Sequence, residues 1–316
     1  MRQGIKIVAE RNVFFGKKPD NRSVLYVFLL TLSFLCVSCL KEKGSGDCPV
    51  VYEVTFGVKD KNYTNAGNIP GWPLKDEQLP FNAYVPTLMY YLRNEETRAI
   101  VQNVPAYTVA NDDKQQVLDL VGIPPGRYIL SAFGNDDRAA LDRDGILSYD
   151  LHPTGMEGAD VYLLSDTIEL TPDHLTAYAE LQRTKGILYL LLENLPDSVD
   201  RIECRVSGIY RNVDQNGEYR DETVVQKTFT GSLSPSVNGL LSLAPTMTGK
   251  ISVVRLALYA KDADLPFMFI PDFNVTVKRN EVTAFRLNFK LDGGVEVWTA
   301  ADGAWTKLHD MDITMS

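Results

Sequence analysis

The chain has 316 residues, of which 45% are hydrophobic, and a formal net charge of −9 at pH 7. The excess of acidic residues argues against a nucleic-acid partner, because phosphates are bound by basic faces. The length allows a short N-terminal segment and, after it, two domains of ordinary size, each able to bury its own core.

The N-terminal segment has the features of a secretory signal. Residues 24–37, VLYVFLLTLSFLCV, carry no charge, and basic residues outnumber acidic ones before them. This apolar run is too short to cross a hydrocarbon layer, which needs about 20 residues as a helix. We therefore predict a lipoprotein or secretory signal peptide over residues 1–38. An uncleaved membrane anchor is the alternative.

The signal ends in the sequence FLCVSCLK, where the position of the cut decides whether the mature chain begins with a lipidated cysteine. Val37 and Ser38 precede Cys39 as in a lipobox, although Cys36 stands where Leu is usual. We predict that Cys39 becomes the acylated first residue of the mature chain and that residues 39–47 form a flexible tether. A redox pair of Cys36 and Cys39 fits less well, because such pairs open a helix of a folded domain.

Two further cysteines, Cys48 and Cys204, remain after processing. In an oxidising compartment they can form a disulfide, which the chain-entropy model credits with about 4 to 5 kcal/mol for so long a loop. Alternatively, Cys204 is a small buried hydrophobic residue, since it alternates with Ile202 and Val206 on one face of a predicted strand. The sequence leaves both interpretations open.

Alternation of apolar and polar residues dominates the rest of the chain. It begins in residues 50–58, VVYEVTFGV, which indicate a half-buried strand. Turn residues such as Asn216-Gly217 and Asp302-Gly303 interrupt the alternation at short intervals. No long helical period occurs, so the sequence predicts an all-β sandwich fold. The other alternating segments are 127–133, 202–210, 223–229, 273–277 and 282–289, and the continuously apolar runs 187–192 and 251–260 are typical of central strands.

The chain divides most naturally near residues 180–186, because each side of this point contains its own set of alternating strands. We predict an N-terminal β-sandwich domain over residues 48–183 and a C-terminal β-sandwich domain over residues 184–316.

No catalytic, cofactor-binding or metal-binding constellation emerges from the sequence. His152, His174 and His309 lie far apart, without cysteine or carboxylate at ligand spacing. Neither the Gly-x-Ser-x-Gly nor the Gly-x-Gly-x-x-Gly pattern follows a strand. The aspartate-rich residues 134–145 miss the spacing of a calcium loop and are better explained as a solvated loop. We therefore predict a protein that is not an enzyme and needs no cofactor.

Aromatic residues are the remaining candidates for ligand contact. Trp72, Tyr90, Tyr91, Trp298 and Trp305 have side chains that stack on sugars, but strands also bury aromatic residues routinely. The sequence does not distinguish a sugar-binding surface from core packing at these positions.

Three stretches together carry a resemblance to a known family. They are Cys39-Leu40-Lys41-Glu42 followed by Asp47-Cys48-Pro49, the segment VGIPPGRYILSAFGN at residues 121–135, and LQRTKGI at residues 181–187. These stretches resemble the anchor and minor-subunit lipoproteins of the type V pili, the fimbriae of Gram-negative anaerobes. The resemblance implies two tandem transthyretin-like β-sandwich domains, no cofactor, and an outer-membrane-anchored, surface-exposed fimbrial subunit that contributes to fimbrium assembly and cell adhesion.

The resemblance also implies the kind of partner. Subunits of such pili pair by strand donation, in which an extended segment completes a neighbour's sheet, while the lipid anchor holds the protein to the outer membrane. We expect the stretch Val295–Trp298 or the tail after it to be a contact region. The alternative is a surface lipoprotein that binds glycans for nutrient capture through exposed Trp and Tyr side chains.

Overall fold

A computed structural model describes residues 50–135, 140–141, 146–312 and 314–315. The predicted signal peptide and tether, with Cys36, Cys39 and Cys48, lie outside these residues. The unit Pro49–Ser316 is compact. Within the described part of the chain, the only helices are three short 3-10 turns, and none is long and apolar enough to cross a membrane.

Strands make up most of the chain, which confirms the all-β prediction. The first half, residues 50–183, contains β1 (Val51–Val58), β2 (Thr87–Asn94), β3 (Ile100–Thr108), β4 (Gln116–Val121), β5 (Gly126–Gly134), β6 (Ala140–Leu141), β7 (Leu147–Asp150), β8 (Tyr162–Leu170) and β9 (Thr176–Arg183). The second half contains β10 (Gly186–Glu193), β11 (Arg201–Asp214), β12 (Tyr219–Thr230), β13 (Ser236–Leu243), β14 (Ser252–Tyr259), β15 (Met268–Val275), β16 (Val282–Phe289), β17 (Gly294–Ala301), β18 (Ala304–Asp312) and β19 (Thr314–Met315).

The first half is built on one sheet with the strand order β3-β2-β5-β8-β9-β1-β4. Strands β8 and β9 pair over only two residues of each, so the two groups of strands on either side of them diverge and face one another. Tyr52, Val54 and Phe56 of β1 are fully buried between them, whereas Val51 and Glu53 are exposed. The alternation in residues 50–58 therefore produces the half-buried strand that the sequence predicts.

The second half has a core between two sheets. The sheet β13-β10-β16-β17-β18 lies on one side, and strands β11, β12, β14 and β15 lie on the other. The two apolar runs at residues 187–192 and 251–260 form β10 and β14, each with a strand on both sides, as predicted for central strands. Cys204 lies on β11 and is fully buried with Ile202 and Val206 in this core.

Strand pairing crosses the predicted division at residues 183 and 184. Strand β7, from the first half, pairs with the end of β11, and β6 pairs with β7. A shared apolar cluster includes Met89 and Phe133 from the first half and Val213 from the second. A smaller cluster packs Ile69 against Ile187 and Val282. The division into two domains stays a prediction, because the two halves share both a sheet and buried side chains.

Candidate interaction surfaces

The junction LQRTKGI contains a buried guanidinium. The side chain of Arg183 is 1% exposed, and its Nε donates to Asp160 at 2.9 Å. The guanidinium also lies 4.2 Å from the ring centre of Tyr63 and donates from Nη1 to Asn280 Oδ1. Burial alone would lower the pKa of Arg183. The Asp160 carboxylate and the neighbouring tyrosines outweigh the effect of burial, so the pKa is raised and Arg183 stays charged.

Asparagine side chains fasten the loop after β1 to the turn before β16. Asn65 Nδ2 donates to Val282 O at 2.8 Å, and Asn65 Oδ1 accepts from Val282 N–H at 2.7 Å. Asn280 Nδ2 donates to Thr64 Oγ1 at 3.0 Å. These side-chain bonds add to a backbone bond from Thr64 N–H to Asn280 O at 2.8 Å, and the amide groups are engaged by the chain itself.

A second buried polar group at the junction contains His152 and Lys185, both 0% exposed. His152 Nε2 accepts from Ala244 N–H at 2.9 Å, which places the ring proton on Nδ1, where it donates to Met156 O at 3.0 Å. Lys185 Nζ donates to Leu151 O at 2.7 Å and to Glu157 O. Burial, assisted by the positive charge of Lys185, lowers the pKa of His152 to about 3. His152 is therefore a neutral structural group.

The three histidines do not come together. His152 is at the junction, His174 is in the turn between β8 and β9, and His309 is on β18. Within the described residues, no cluster of histidine, cysteine and carboxylate side chains could hold a metal ion. The aspartates of residues 136–139 and 142–145 lie outside those residues.

Cys204 is a buried thiol in the second core. Burial raises its pKa to about 12, so the free thiol would be unreactive at neutral pH. Pairing with Cys48 stays a prediction, because Cys48 lies outside the described residues.

Three of the five aromatic residues singled out in the sequence gather on the outer face of the second half's five-stranded sheet. The Arg286 guanidinium lies 4.3 Å from the ring centre of Trp298 and 5.5 Å from that of Trp305. Trp72 reaches the same face from the loop after β1, with its ring 5.6 Å from that of Tyr189. We call Trp72, Tyr189, Arg286, Trp298 and Trp305 the aromatic face.

Two donors of the aromatic face have no hydrogen-bond acceptor among the described residues. Arg286 Nε and Trp298 Nε1 are both shielded from solvent and make no hydrogen bond there, although the Glu193 carboxylate lies 3.9 Å from Arg286 Nε. Tyr90 and Tyr91 do not belong to this face, because Tyr90 is buried in the first core and Tyr91 in the cluster shared by the two halves. The sequence analysis did not select Tyr189 and Arg286. The alternation of each with buried neighbours along its strand was a signal that they lie on the outer face.

The stretch Val295–Trp298 lies inside a sheet. It belongs to β17, which is paired on one side with β16 and on the other with β18. Val295 and Val297 are fully buried in the second core. Both backbone edges of this stretch are therefore paired. On this side of the sheet the last described strand is β18, and its side chains are mostly exposed.

Comparison with known proteins is informative at the level of structure. Neither a protein-family model nor a curated protein sequence matches this chain. A fimbrial anchor protein, Mfa2 of Porphyromonas gingivalis, superposes with a TM-score of 0.51 at 11% identity, over 83% of this chain and 100% of that one. This chain shares the fold of a fimbrial anchor. The structural match agrees with the family resemblance of its short motifs.

Two other solved structures extend the comparison. A candidate adhesin from Bacteroides ovatus has a TM-score of 0.52 at 13% identity, over 84% of this chain and 99% of that one. A candidate polysaccharide-binding protein from Bacteroides thetaiotaomicron has a TM-score of 0.54 at 11% identity, over 82% and 98%. The same fold thus occurs in proteins described by adhesion, by fimbrial anchoring and by polysaccharide binding.

Proposed function

We propose that this protein is an outer-membrane-anchored fimbrial subunit, either the anchor or a minor accessory subunit, which contributes to fimbrium assembly and cell adhesion and is not an enzyme. The observation that supports the proposal best is the fold, which extends over the full length of a fimbrial anchor protein. The lipobox-like sequence before Cys39 agrees with it, because an anchor needs a stable attachment to the membrane.

The lipid attachment is tested by labelling cells with a radioactive fatty acid. The native protein and a Cys36→Ala variant are expected to incorporate label, because Cys36 is removed with the signal. A Cys39→Ala variant is expected to incorporate none. Equal labelling of the native protein and the Cys39→Ala variant would exclude the anchor.

The partner contact proposed for the fimbrial subunit is strand pairing, with the outer membrane bound separately by the lipid. Strand β18 is the part of the C-terminal region that offers a backbone edge. A deletion of residues 295–316 would also remove Val295 and Val297 from the core, so it would confound loss of contact with loss of folding. A deletion of residues 304–316 removes β18 and the two-residue β19, which pairs with the end of β15, and retains β17.

We expect the deletion of residues 304–316 to abolish co-purification with a fimbrial partner subunit, while the far-ultraviolet circular dichroism stays that of an all-β protein. The matched control is Lys250→Ala, which removes an exposed ion pair between the turn before β14 and Glu222 of β12, in a different sheet from β18. Undiminished co-purification by the deletion variant would contradict a contact through β18.

A second candidate function is glycan binding by a surface lipoprotein, which the aromatic face favours. Its tryptophan rings, and its two donors that lack an acceptor among the described residues, are the groups that bind sugar faces and sugar hydroxyls. Loss of glycan-array binding in a Trp298→Ala variant, with binding retained in a variant of an exposed tyrosine outside the aromatic face, Tyr178→Ala, would support this function. Absence of glycan binding by the native protein would dismiss it.

A further inference from the structure

Among the described strands, β4 ends the first sheet, and no strand lies along its outer backbone edge. It pairs with β1 in an unbroken antiparallel register from Val51 opposite Val121 to Phe56 opposite Gln116. Gly122 N–H donates to Val50 O, so the even-numbered residues of β4 are those that bond to β1. The N–H and C=O groups of Val117, Asp119 and Val121 therefore point away from the sheet, and of these the Val117 C=O accepts from the exposed side chain of Gln116 at 3.0 Å.

Other strands at or near the ends of the sheets are less regular than β4, or have some of their edge groups occupied. Strand β3, which ends a sheet, and strand β15, which is flanked on its outer side only by the two-residue β19, contain Pro105 and Pro271, each beside a shift in register. On β13, Leu240 O accepts from the Lys227 ammonium and Ser242 N–H donates to the Glu157 carboxylate. Strand β18 has a register shift and a charged cluster of lysines and carboxylates. Strand β4 has no proline, lysine or bulge, the usual protections of an edge.

The outer face beside this edge is apolar at its ends and acidic at its centre. Val117, Val121 and the neighbouring Val51 are 45%, 57% and 46% exposed. Between them, Asp119 lies directly opposite Glu53 of β1. Non-hydrogen-bonded antiparallel pairs bring their side chains closest, and like charges in such pairs are destabilising. No hydrogen bond or ion pair from the described residues reaches either carboxylate.

We propose that the β4 edge binds an extended segment of a partner protein by strand addition, with a lysine or arginine of the segment beside Asp119 and apolar residues beside Val117 and Val121. The outward backbone groups of β4 supply the hydrogen bonds, and the uncompensated pair of Glu53 and Asp119 selects the basic residue. A second copy of this chain fits poorly as the partner. If two β4 strands pair antiparallel with the greatest overlap, Asp119 of one copy lies opposite Asp119 of the other, and the like charges repel.

The inference rests on the proposed function in one respect, since it identifies the edge through which a fimbrial partner would bind. Both β18 and β4 are edge strands to which a partner strand adds, so the inference concerns a second edge. The two edges belong to different sheets and are removed by different substitutions.

The binding test uses the full-length protein in detergent and a fluorescein-labelled peptide, Thr-Val-Thr-Lys-Thr-Val-Thr, with fluorescence anisotropy as the readout. A matched peptide has glutamate in place of lysine. We expect the lysine peptide to bind about three- to fivefold more tightly than the glutamate peptide, the range of a cross-strand charge pair. Hydrogen exchange is expected to slow in residues 116–122 when the lysine peptide is bound.

Two variants locate the site. Asp119→Pro removes one outward N–H without removing a bond to β1, and we expect it to abolish binding of both peptides. Asp119→Lys keeps the backbone and is expected to reverse the preference in favour of the glutamate peptide. Binding that is absent in the native protein, or that is unchanged in both variants, overturns the inference.

Co-purification from cells separates this inference from the proposed function. If a fimbrial subunit co-purifies equally with the native protein and with Asp119→Pro, the fimbrial role stands and the β4 edge is excluded as its contact. If the peptides bind as expected but no fimbrial subunit co-purifies, the edge binds strands and the fimbrial role is excluded.

Discussion

Three buried side chains at the junction are polar, although burying a polar group costs more free energy than burying an apolar one. They are Arg183, Lys185 and His152. A buried charge is tolerated only when its neighbours satisfy it, and each of these three groups has its partners in place. The partners come from loops and turns of both halves. The junction therefore tolerates little substitution, for reasons of folding alone.

Gly186 is required at the junction because there is no room for a side chain. A Cβ atom at this position would lie 2.1 Å from Lys278 O and 2.9 Å from Glu281 O. Those oxygens belong to the turn before β16, where Glu281 O accepts from Ile187 N–H at 2.9 Å. We expect Gly186→Ala to lower the free energy of unfolding by about 1 to 3 kcal/mol or more, measured by urea denaturation.

The control for this substitution is Gly67→Ala, because nothing lies within 4 Å of a Cβ atom at Gly67. Its effect is expected to stay within about 0.5 kcal/mol. Equal effects of the two alanines would show that the close approach at Gly186 relaxes easily.

His152 gives the stability a pH dependence. Its pKa is about 3 in the folded protein and 6.5 when unperturbed, so below pH 6.5 the unfolded state binds a proton that the folded state does not. The free energy of unfolding therefore falls as the pH falls from 6.5 towards 3, by roughly 3 to 5 kcal/mol for this group. Urea denaturation at several pH values is expected to show a shallower fall in His152→Gln than in the native protein.

The exposed His174 supplies the control for the pH experiment. His174→Gln is expected to retain the native slope between pH 6.5 and 4. A native slope in His152→Gln would mean that carboxylates, and not this imidazole, set the acid sensitivity.

Individual strands could be predicted from the sequence, whereas their partners could not. Alternation identified β1, β5 and β16 because burial on one face imposes a period of two on each strand by itself. Pairing depends on residues far away in the chain. The stretch Val295–Trp298 was therefore expected at a contact surface, although it lies between two strands.

The candidate surfaces were visible only in part for the same reason. Trp298 and Trp305 were recognisable as aromatic residues, but their neighbour Arg286 lies on a different strand and is brought to them by pairing. The exposed edge of β4 left no signal at all, because an edge strand and a paired strand alternate alike.

Strand β18 is held to β17 by a ring of four charges as well as by backbone bonds. Glu296 lies 2.8 Å from Lys307 and 3.4 Å from Lys290, and each lysine also contacts Asp310. The hydrogen bond from Lys307 lowers the pKa of Glu296 to about 2. All four side chains are accessible to solvent, so salt should weaken the ring.

We expect amide exchange in residues 304–312 to become faster in 1 M salt and in a Glu296→Gln variant. The Glu296 carboxylate stabilises the pairing of β18 with β17 above its usual pKa, and this stabilisation is lost as the pH falls towards 2. Amide exchange in residues 304–312, corrected for intrinsic rates, should therefore also become faster in acid. Glu222→Gln, which breaks an exposed pair with Lys250, is the control and should leave these amides unchanged.

The two halves share so much buried structure that we expect them to unfold together. The sheet that contains β7 and β11 crosses between them, and Arg183 bonds to both Asp160 and Asn280. Differential scanning calorimetry of the native protein is expected to show one transition. Arg183→Met leaves the Asp160 carboxylate without its partner and is expected to lower the midpoint or split the transition.

The control for this prediction is Arg255→Met, since Arg255 pairs with Asp272 on the exposed surface of β14 and β15. Its midpoint should stay close to the native one. Two separate transitions in the native protein would show that the halves are independent in spite of their contacts.

The bonds between Asn65 and Val282 join positions 217 residues apart along the chain. Contacts so distant form late, since the loop between them must close first. At synthesis rates of ~5 to 20 residues per second, Asn65 waits on the order of 10 to 40 s before its partner has been made. Until then the nascent chain lacks the bonds that fasten its halves together. The two halves are therefore fastened together by these bonds only after most of the chain has been synthesised.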